Sequence, residues 1–360
     1  STSTDYLSYN TFDFTGNYWG PAYTEELNTV GNNHKTTFVN DYHWDFEHSR
    51  IDYSGWVTNL TDKATVTEVK TLLCGTSAAG KKAKVFIKGS GFNGRNVRDI
   101  VFASTNSSII QDISDSLKVY SDEYISVEYT IPSTAGTYTV TASSNGTSVQ
   151  GYVICKDYSD WNVGDFIYDD GTHSATYNSS KTCIAVCAGL NSNGAALGLG
   201  LNYKNNLRWA PSDTTGYNTT FWNTICTANK TGSGAGDTAL FSGDTDGSDN
   251  WLEVCIQDPA GTLDAVTNYP AFNWAENYWV TYSLSGEYKE GWFMPSISEL
   301  TENVYRNKSV LSTAVTTAGG NMYWSSYFWS SSQNFSYSYA WLIFLSDGNL
   351  YDNDKIYNFS

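Results

Sequence analysis

The sequence is short of positive charge. Twenty Lys and Arg stand against 37 Asp and Glu, for a formal net charge of −17 over 360 residues. A surface of that sign repels phosphate backbones and anionic lipid headgroups, so no nucleic-acid partner is expected. Proline (6) and methionine (2) are scarce, and no apolar run reaches the roughly eighteen residues that a membrane-spanning helix needs. Any membrane attachment is therefore expected only through a lipid anchor outside this chain. Histidine is scarce as well: His34, His43, His48 and His173. The first three precede residue 60, so a Ser-His-Asp or Cys-His site in the last two hundred residues would have to use His173. That residue stands in Asp169-Asp170-Gly171-Thr172-His173, which reads as a surface loop. Six cysteines (74, 155, 183, 187, 226 and 255) are too few for a disulfide framework. None is spaced as CxxC, so no structural zinc site is expected. Cys74 and Cys155 flank one segment and either pair across it or stay as buried thiols. No catalytic set emerges, so neither an enzyme nor a cofactor is expected.

What the chain has in quantity is aromatic residues, 16% of the total. A disordered acidic chain would be poor in them. Together with abundant Ser, Thr, Asn and Gly they describe a β-rich, loop-rich exported protein, and Tyr, Ser and Asn are also the residues of binding paratopes. The chain starts at Ser1 without an initiator Met or a signal peptide. That reads as a mature or trimmed form from which an export signal or lipid anchor has been removed.

The length predicts two or three domains, and the pattern changes twice. Residues 1–63 carry little periodicity. Residues 64–156 hold alternating runs, such as Tyr124–Ile131 and Thr137–Ala142, broken by Pro132–Gly136 and by an Asn145-Gly146 hairpin signal. Short strands at this spacing suggest a β-sandwich. In residues 157–360 a buried strand is expected over Thr182–Ala188 and a short helix from Pro270. The clearest helix runs over Ser296–Tyr305, with Ser296 and Glu299 as a capping box. Long Gly/Asn/Thr/Asp segments over 202–250 read as functional loops.

Three resemblances follow from particular strings. Gly16-Asn17-Tyr18-Trp19-Gly20 with Asp52-Tyr53-Ser54-Gly55-Trp56-Val57 resembles the closing turns of parallel β-helix proteins; an irregular N-terminal extension is the other reading. Val85–Phe92 and Ile131–Thr141 resemble bacterial immunoglobulin-like modules of the IPT/TIG type, which are usually spacers. The ordered set Gly291-Trp292-Phe293-Met294-Pro295-Ser296, Tyr323-Trp324-Ser325-Ser326, Trp329-Ser330-Ser331-Ser332-Gln333, Ala340-Trp341 and Asp347-Gly348 resembles C-type lectin folds of the formylglycine-generating-enzyme type. More closely, it resembles the variable proteins of diversity-generating retroelements, above all the treponemal surface variable lipoproteins. The fold expected is thus mainly β and multidomain: an irregular or β-helix-like N-terminal segment, an Ig-like β-sandwich, then an α+β C-type lectin domain.

The last resemblance implies a non-catalytic, ligand-binding surface protein, expected as an outer-membrane lipoprotein, with a diversified paratope. Its partner is an unknown protein or other surface ligand. Alternatives are an accessory lectin or adhesin domain of a glycan-active β-helix protein, and a structural adhesin stalk. Diversification by adenine mutation of Asn-type codons never yields Lys, Glu, Gln, Met or Trp. Between Asn334 and Ser360 only Trp341 and Lys355 belong to that set. Alternation puts Trp341, Ile343 and Leu345 in the core and Leu342, Phe344 and Ser346 on the opposite face. The expected binding residues are Asn334, Phe335, Tyr337, Tyr339, Leu342, Phe344, Ser346, Asn349, Tyr351, Asp352, Asn353, Asp354, Ile356, Tyr357 and Asn358. No EPN, QPD or WND string supports a calcium lectin. Asp244, Asp246 and Asp249 in Gly243–Asn250 resemble half of an oxygen-ligand calcium loop and are the one metal candidate; strings of this kind also form simple Asx-turns.

Overall fold

A computed structural model describes residues 11–13, 21–30, 50–52, 64–93, 97, 99–217, 225–286, 288–334 and 338–360. The chain divides into two compact units: residues 1–72 with 82–130 and 137–154, and residues 73–81 with 131–136 and 155–360. It is mainly β, with several small sheets and few helices.

In the N-terminal segment, Thr11–Asp13 pairs in parallel with Arg50–Asp52, and Pro21–Val30 is helical. The Gly16–Gly20 string and residues 53–57, which carry the β-helix resemblance, lie outside the described residues. Further along, strands Thr65–Val69, Lys82–Ser90, Tyr124–Thr130 and Lys118–Val119 form one four-stranded antiparallel sheet in that order. A second sheet is ordered Leu72–Gly75, Thr147–Lys156, Gly136–Ser144, Val101–Ser104. Period-two burial explains both. Ala83, Val85 and Ile87 are buried while Lys82 and Lys84 are exposed, and Val140 and Ala142 alternate with more open neighbours. The Asn145-Gly146 turn has both residues at positive φ, 51° and 78°, as a two-residue hairpin with right-handed strand twist requires.

The second unit holds the C-terminal two hundred residues. Its four-stranded sheet is ordered His173–Ser174, Phe166–Tyr168, Cys183–Leu190, Ala196–Gly200. A three-stranded antiparallel sheet follows near the end of the chain: Tyr327–Gln333, Tyr339–Phe344 and Asn349–Asp354, with Tyr339–Phe344 central. One apolar core joins them. Val186 and Ala188 from the first sheet meet Leu300, Leu311 and Val315 from the helices and Trp341, Ile343 and Leu345 of the last sheet. The helix predicted over 296–305 runs as Ile297–Glu299 and then in π form over Leu300–Tyr305. Its capping box is present. Ser296 Oγ accepts from Glu299 N at 3.2 Å, and Glu299 Oε2 accepts from Ser296 N at 2.8 Å. The short helix expected from Pro270 spans Pro270–Glu276.

Candidate ligand-binding face

Strand register decides what each face of the last sheet carries. Trp329, Leu342 and Tyr351 stand side by side across the three strands, and Tyr327, Phe344 and Asn349 form the next row. These rows lie opposite Trp341 and Ile343, which are buried in the core. Tyr327 gathers the outer face: its ring centre is 4.6 Å from Phe344, 5.5 Å from Tyr351 and 5.5 Å from Phe359. Phe359 in turn meets Trp329 edge-on at 5.1 Å. The chain end is held there by backbone hydrogen bonds, Trp329 N to Ser360 O at 2.8 Å and Ser360 N to Tyr327 O at 3.0 Å. Its other side bridges Leu207 through Phe359. The result is an aromatic surface with Tyr351 at 40% and Tyr357 at 53% exposure. Exposed Ser346, Asn349 and Asn358 lie on strand ends and turns beside it, while exposed Asp352, paired with Trp341, stands in the opposite row of the sheet.

The residues expected to bind divide into four groups. Tyr339, Ser346, Asn349, Tyr351, Asp352, Tyr357 and Asn358 are exposed, while Phe344, Asn353, Asp354 and Ile356 are half-buried. Phe335 and Tyr337 lie outside the described residues. Leu342 and Asn334 need correction. Leu342 is 1% exposed; it sits in the central strand, paired with Trp329 on one side and Tyr351 on the other. Asn334 is equally buried; its Nδ2 donates to Asp352 Oδ2 at 2.5 Å, and its N–H donates to Tyr339 O at 3.1 Å. It closes the connection between two strands and belongs to the scaffold. Sequence reasoning missed Tyr327 and Phe359, the hubs of the face. The first stands in a strand with no alternation, since the six residues after it are all buried. The second depends on a long-range bridge that has no local signal.

The scaffold under the face is unusually polar. Ser330, Ser331, Ser332 and Gln333 are all fully buried. Ser330 Oγ donates to Trp341 O at 2.9 Å, and Ser332 Oγ to Asp244 Oδ2 at 2.7 Å. Asn250 Nδ2 donates to Asp244 Oδ2 at 2.8 Å and to Ser331 Oγ at 2.7 Å. Such groups are tolerated inside because they are hydrogen-bonded. Trp209 is fully buried, donates Nε1–H to Ser330 O at 3.0 Å and packs edge-on to Phe272 at 4.9 Å.

The same network corrects the metal candidate. Asp244 is taken up by Asn250 and Ser332, while Asp246 caps the turn at Ser248 N (3.0 Å) and accepts from Asn193 Nδ2 (2.9 Å). Among the described residues these aspartates do not come together as a group able to hold a metal ion. Glu299 accepts from Gly247 N at 3.0 Å, and burial, then the nearby Asp246 carboxylate, pushes its carboxyl up to about 8. His173 also differs from its surface-loop expectation. It lies in a short strand, its ring stacks on Trp161 at 4.2 Å, and its nitrogens face Asp165 (3.2 Å) and Asp160 (3.4 Å). Two carboxylates and an indole hold it as a structural histidine.

No family model matches the chain, and no curated protein matches it. Among solved structures, the titin M3 domain is 17% identical over 26% of this chain and 97% of its own length, with a TM-score of 0.19. Domains 4 and 5 of the S-layer protein SbsC are 13% identical over 26% of this chain and 54% of theirs, with a TM-score of 0.15. Domains 1–6 of that protein are 13% identical over 54% of this chain and 22% of theirs, with a TM-score of 0.19. At that level of similarity, fold and function rest on this chain's own residues.

Proposed function

We propose that the chain is a surface-displayed, non-catalytic binding protein whose C-terminal C-type-lectin-like domain presents a retroelement-diversified face, with the Ig-like sandwich as spacer and an outer-membrane lipid anchor outside this chain. The observation that carries the reading is one sheet with two characters. Trp341, Ile343 and Leu345 pack into the core, while the rim and last strand expose Tyr339, Tyr351, Tyr357, Asn349 and Asn358. Large rigid aromatics with adaptable amides are the chemistry of paratopes. Trp341 and Lys355, the two residues of 334–360 that Asn-codon mutagenesis cannot write, are both buried. A face whose identities vary needs such fixed points beneath it.

The full chain, probed on an array of purified proteins and glycans, is expected to retain at least one of them without turning it over. Tyr351→Ala and Tyr357→Ala should each weaken that binding about tenfold or more, as hot-spot aromatics do. Leu263→Ala, at a site 90% exposed and away from the sheet in sequence, should leave it unchanged. Equal loss from Leu263→Ala, or chemical conversion of the bound species, would contradict the reading.

A further inference from the structure

Gln333 ends the strand Tyr327–Gln333, and Lys355 directly follows the strand Asn349–Asp354. The two therefore bracket the binding face in sequence, and both are fully buried. Lys355 Nζ donates to Gln333 Oε1 at 2.5 Å and to Gly216 O at 2.7 Å, and it lies 4.5 Å from the centre of the buried Trp209 ring. The Gln333 amide nitrogen donates to Ile225 O at 3.1 Å and stands 3.6 Å from Cys226 Sγ. The buried Glu253 carboxylate accepts from Cys226 N at 2.8 Å, and Gln333 N donates to Cys226 O at 2.7 Å. An amine, a primary amide, a thiol and a carboxyl group thus share one water-excluded cluster.

Burying an ammonium is unfavourable, and burial pulls Lys355 down to about 7. Neutral amine, the nucleophilic form, is then present at neutral pH. Held against one amide, it also gains the advantage of an intramolecular reaction.

We propose that Lys355 and Gln333 join in an intramolecular isopeptide bond. Nζ attacks Cδ of Gln333; the Nζ–Cδ bond forms, the Cδ–Nε2 bond breaks, one proton passes from Nζ to Nε2, and ammonia leaves. No oxidant or cofactor enters the balance. The product amide keeps one N–H, which can still donate to Gly216 O. Exclusion of water removes the competing nucleophile. The link closes a covalent ring around residues 333–355. Like a disulfide, it restricts the unfolded chain, and it fixes the base of the face while exposed side chains differ, which is preorganisation for binding. Cys226 is the rival nucleophile, through a thioester to Gln333. Burial holds its thiol well above the ordinary range, and its contact is the longer one, so the amine is favoured.

Mass spectrometry of the full chain, as purified, tests this. The intact mass should be lower by one ammonia. No Lys or Arg occurs between residues 309 and 354, so trypsin should release residues 309–360 in one piece, uncut after Lys355 and lighter by one ammonia. Chymotrypsin should open that piece into two branches joined at Gln333 and Lys355. A succinimide at Asn193-Gly194 would also lose ammonia but would leave Lys355 cleavable. Lys355→Arg should restore the full mass of this region, and Cys226→Ser should leave the link in place. A linear 309–355 peptide with intact Gln333 overturns the proposal. So does a linkage that maps to Cys226 and disappears in Cys226→Ser. The digest of the unaltered protein decides the matter even if a variant fails to fold.

Discussion

Trp209→Ala is expected to lower the stability of the full chain by about 3–5 kcal/mol, the range for deleting a buried large aromatic. Trp209 is fully buried, and it ties three parts of the C-terminal unit together. Its Nε1–H reaches Ser330 O on the edge strand, and its ring packs on Phe272 of the helix Pro270–Glu276. Its backbone N–H donates to Lys355 O at 3.1 Å. Truncation empties a large cavity and orphans a buried carbonyl, which adds about 1 kcal/mol or more. Urea unfolding followed by tryptophan fluorescence should show the midpoint of the C-terminal unit collapse. Tyr351→Ala removes a ring that is 40% exposed and packs on Tyr327, so it should lower that midpoint far less. If both variants unfold alike, the separation of scaffold from binding face fails.

Glu299→Gln is expected to gain stability over the parent chain as pH rises. The Glu299 carboxyl is buried, and its pKa is raised from 4.5 to about 8, first by burial and then by Asp246. Between those two values the folded chain keeps a proton that the unfolded chain has lost. The parent's stability therefore falls as pH climbs through that window, by roughly 1.4 kcal/mol per pH unit for one fully coupled group. Glutamine carries no such proton. The variant-minus-parent difference from urea unfolding should be smallest near pH 5 and grow steadily to pH 8, whatever the offset at the low end. Glu276, pushed up to about 7 by burial, remains in both proteins and cancels in the difference. A pH-independent difference would mean that Glu299 ionises as an ordinary carboxylate.

Local chemistry was legible in the sequence where one short string decides the outcome. The Ser296–Glu299 capping box, the Asn145-Gly146 turn, the helix from Pro270 and the core alternation of Trp341, Ile343 and Leu345 are all of this kind. The site was legible only in part. Alternation says that Leu342 faces away from the core, but it does not say that Trp329, Tyr351 and the returning Phe359 cover that side. Asn334 looks like a paratope amide and proves to be a turn brace, since it bonds to Asp352 of the strand Asn349–Asp354, which comes near it only in the folded chain. The Asp244–Asp249 string looks like a cation loop. Its donors are Ser332 and Asn193, far away in sequence, and they settle it as a hydrogen-bonded turn. Lys355 gives no sequence sign of burial; its environment comes from Gly216, Trp209 and Gln333.

The central claim is that a constant buried scaffold carries a diversified exposed face, and sequencing related copies of the gene tests it most directly. Substitutions should cluster after Asn334 at exposed and half-exposed positions, among them Tyr339, Phe344, Ser346, Asn349, Tyr351, Tyr357 and Asn358. Trp341, Ile343, Leu345, Lys355 and Trp209 should stay constant. Changes spread evenly through residues 157–360, or as frequent at Trp341 and Lys355 as at Tyr351, would contradict it.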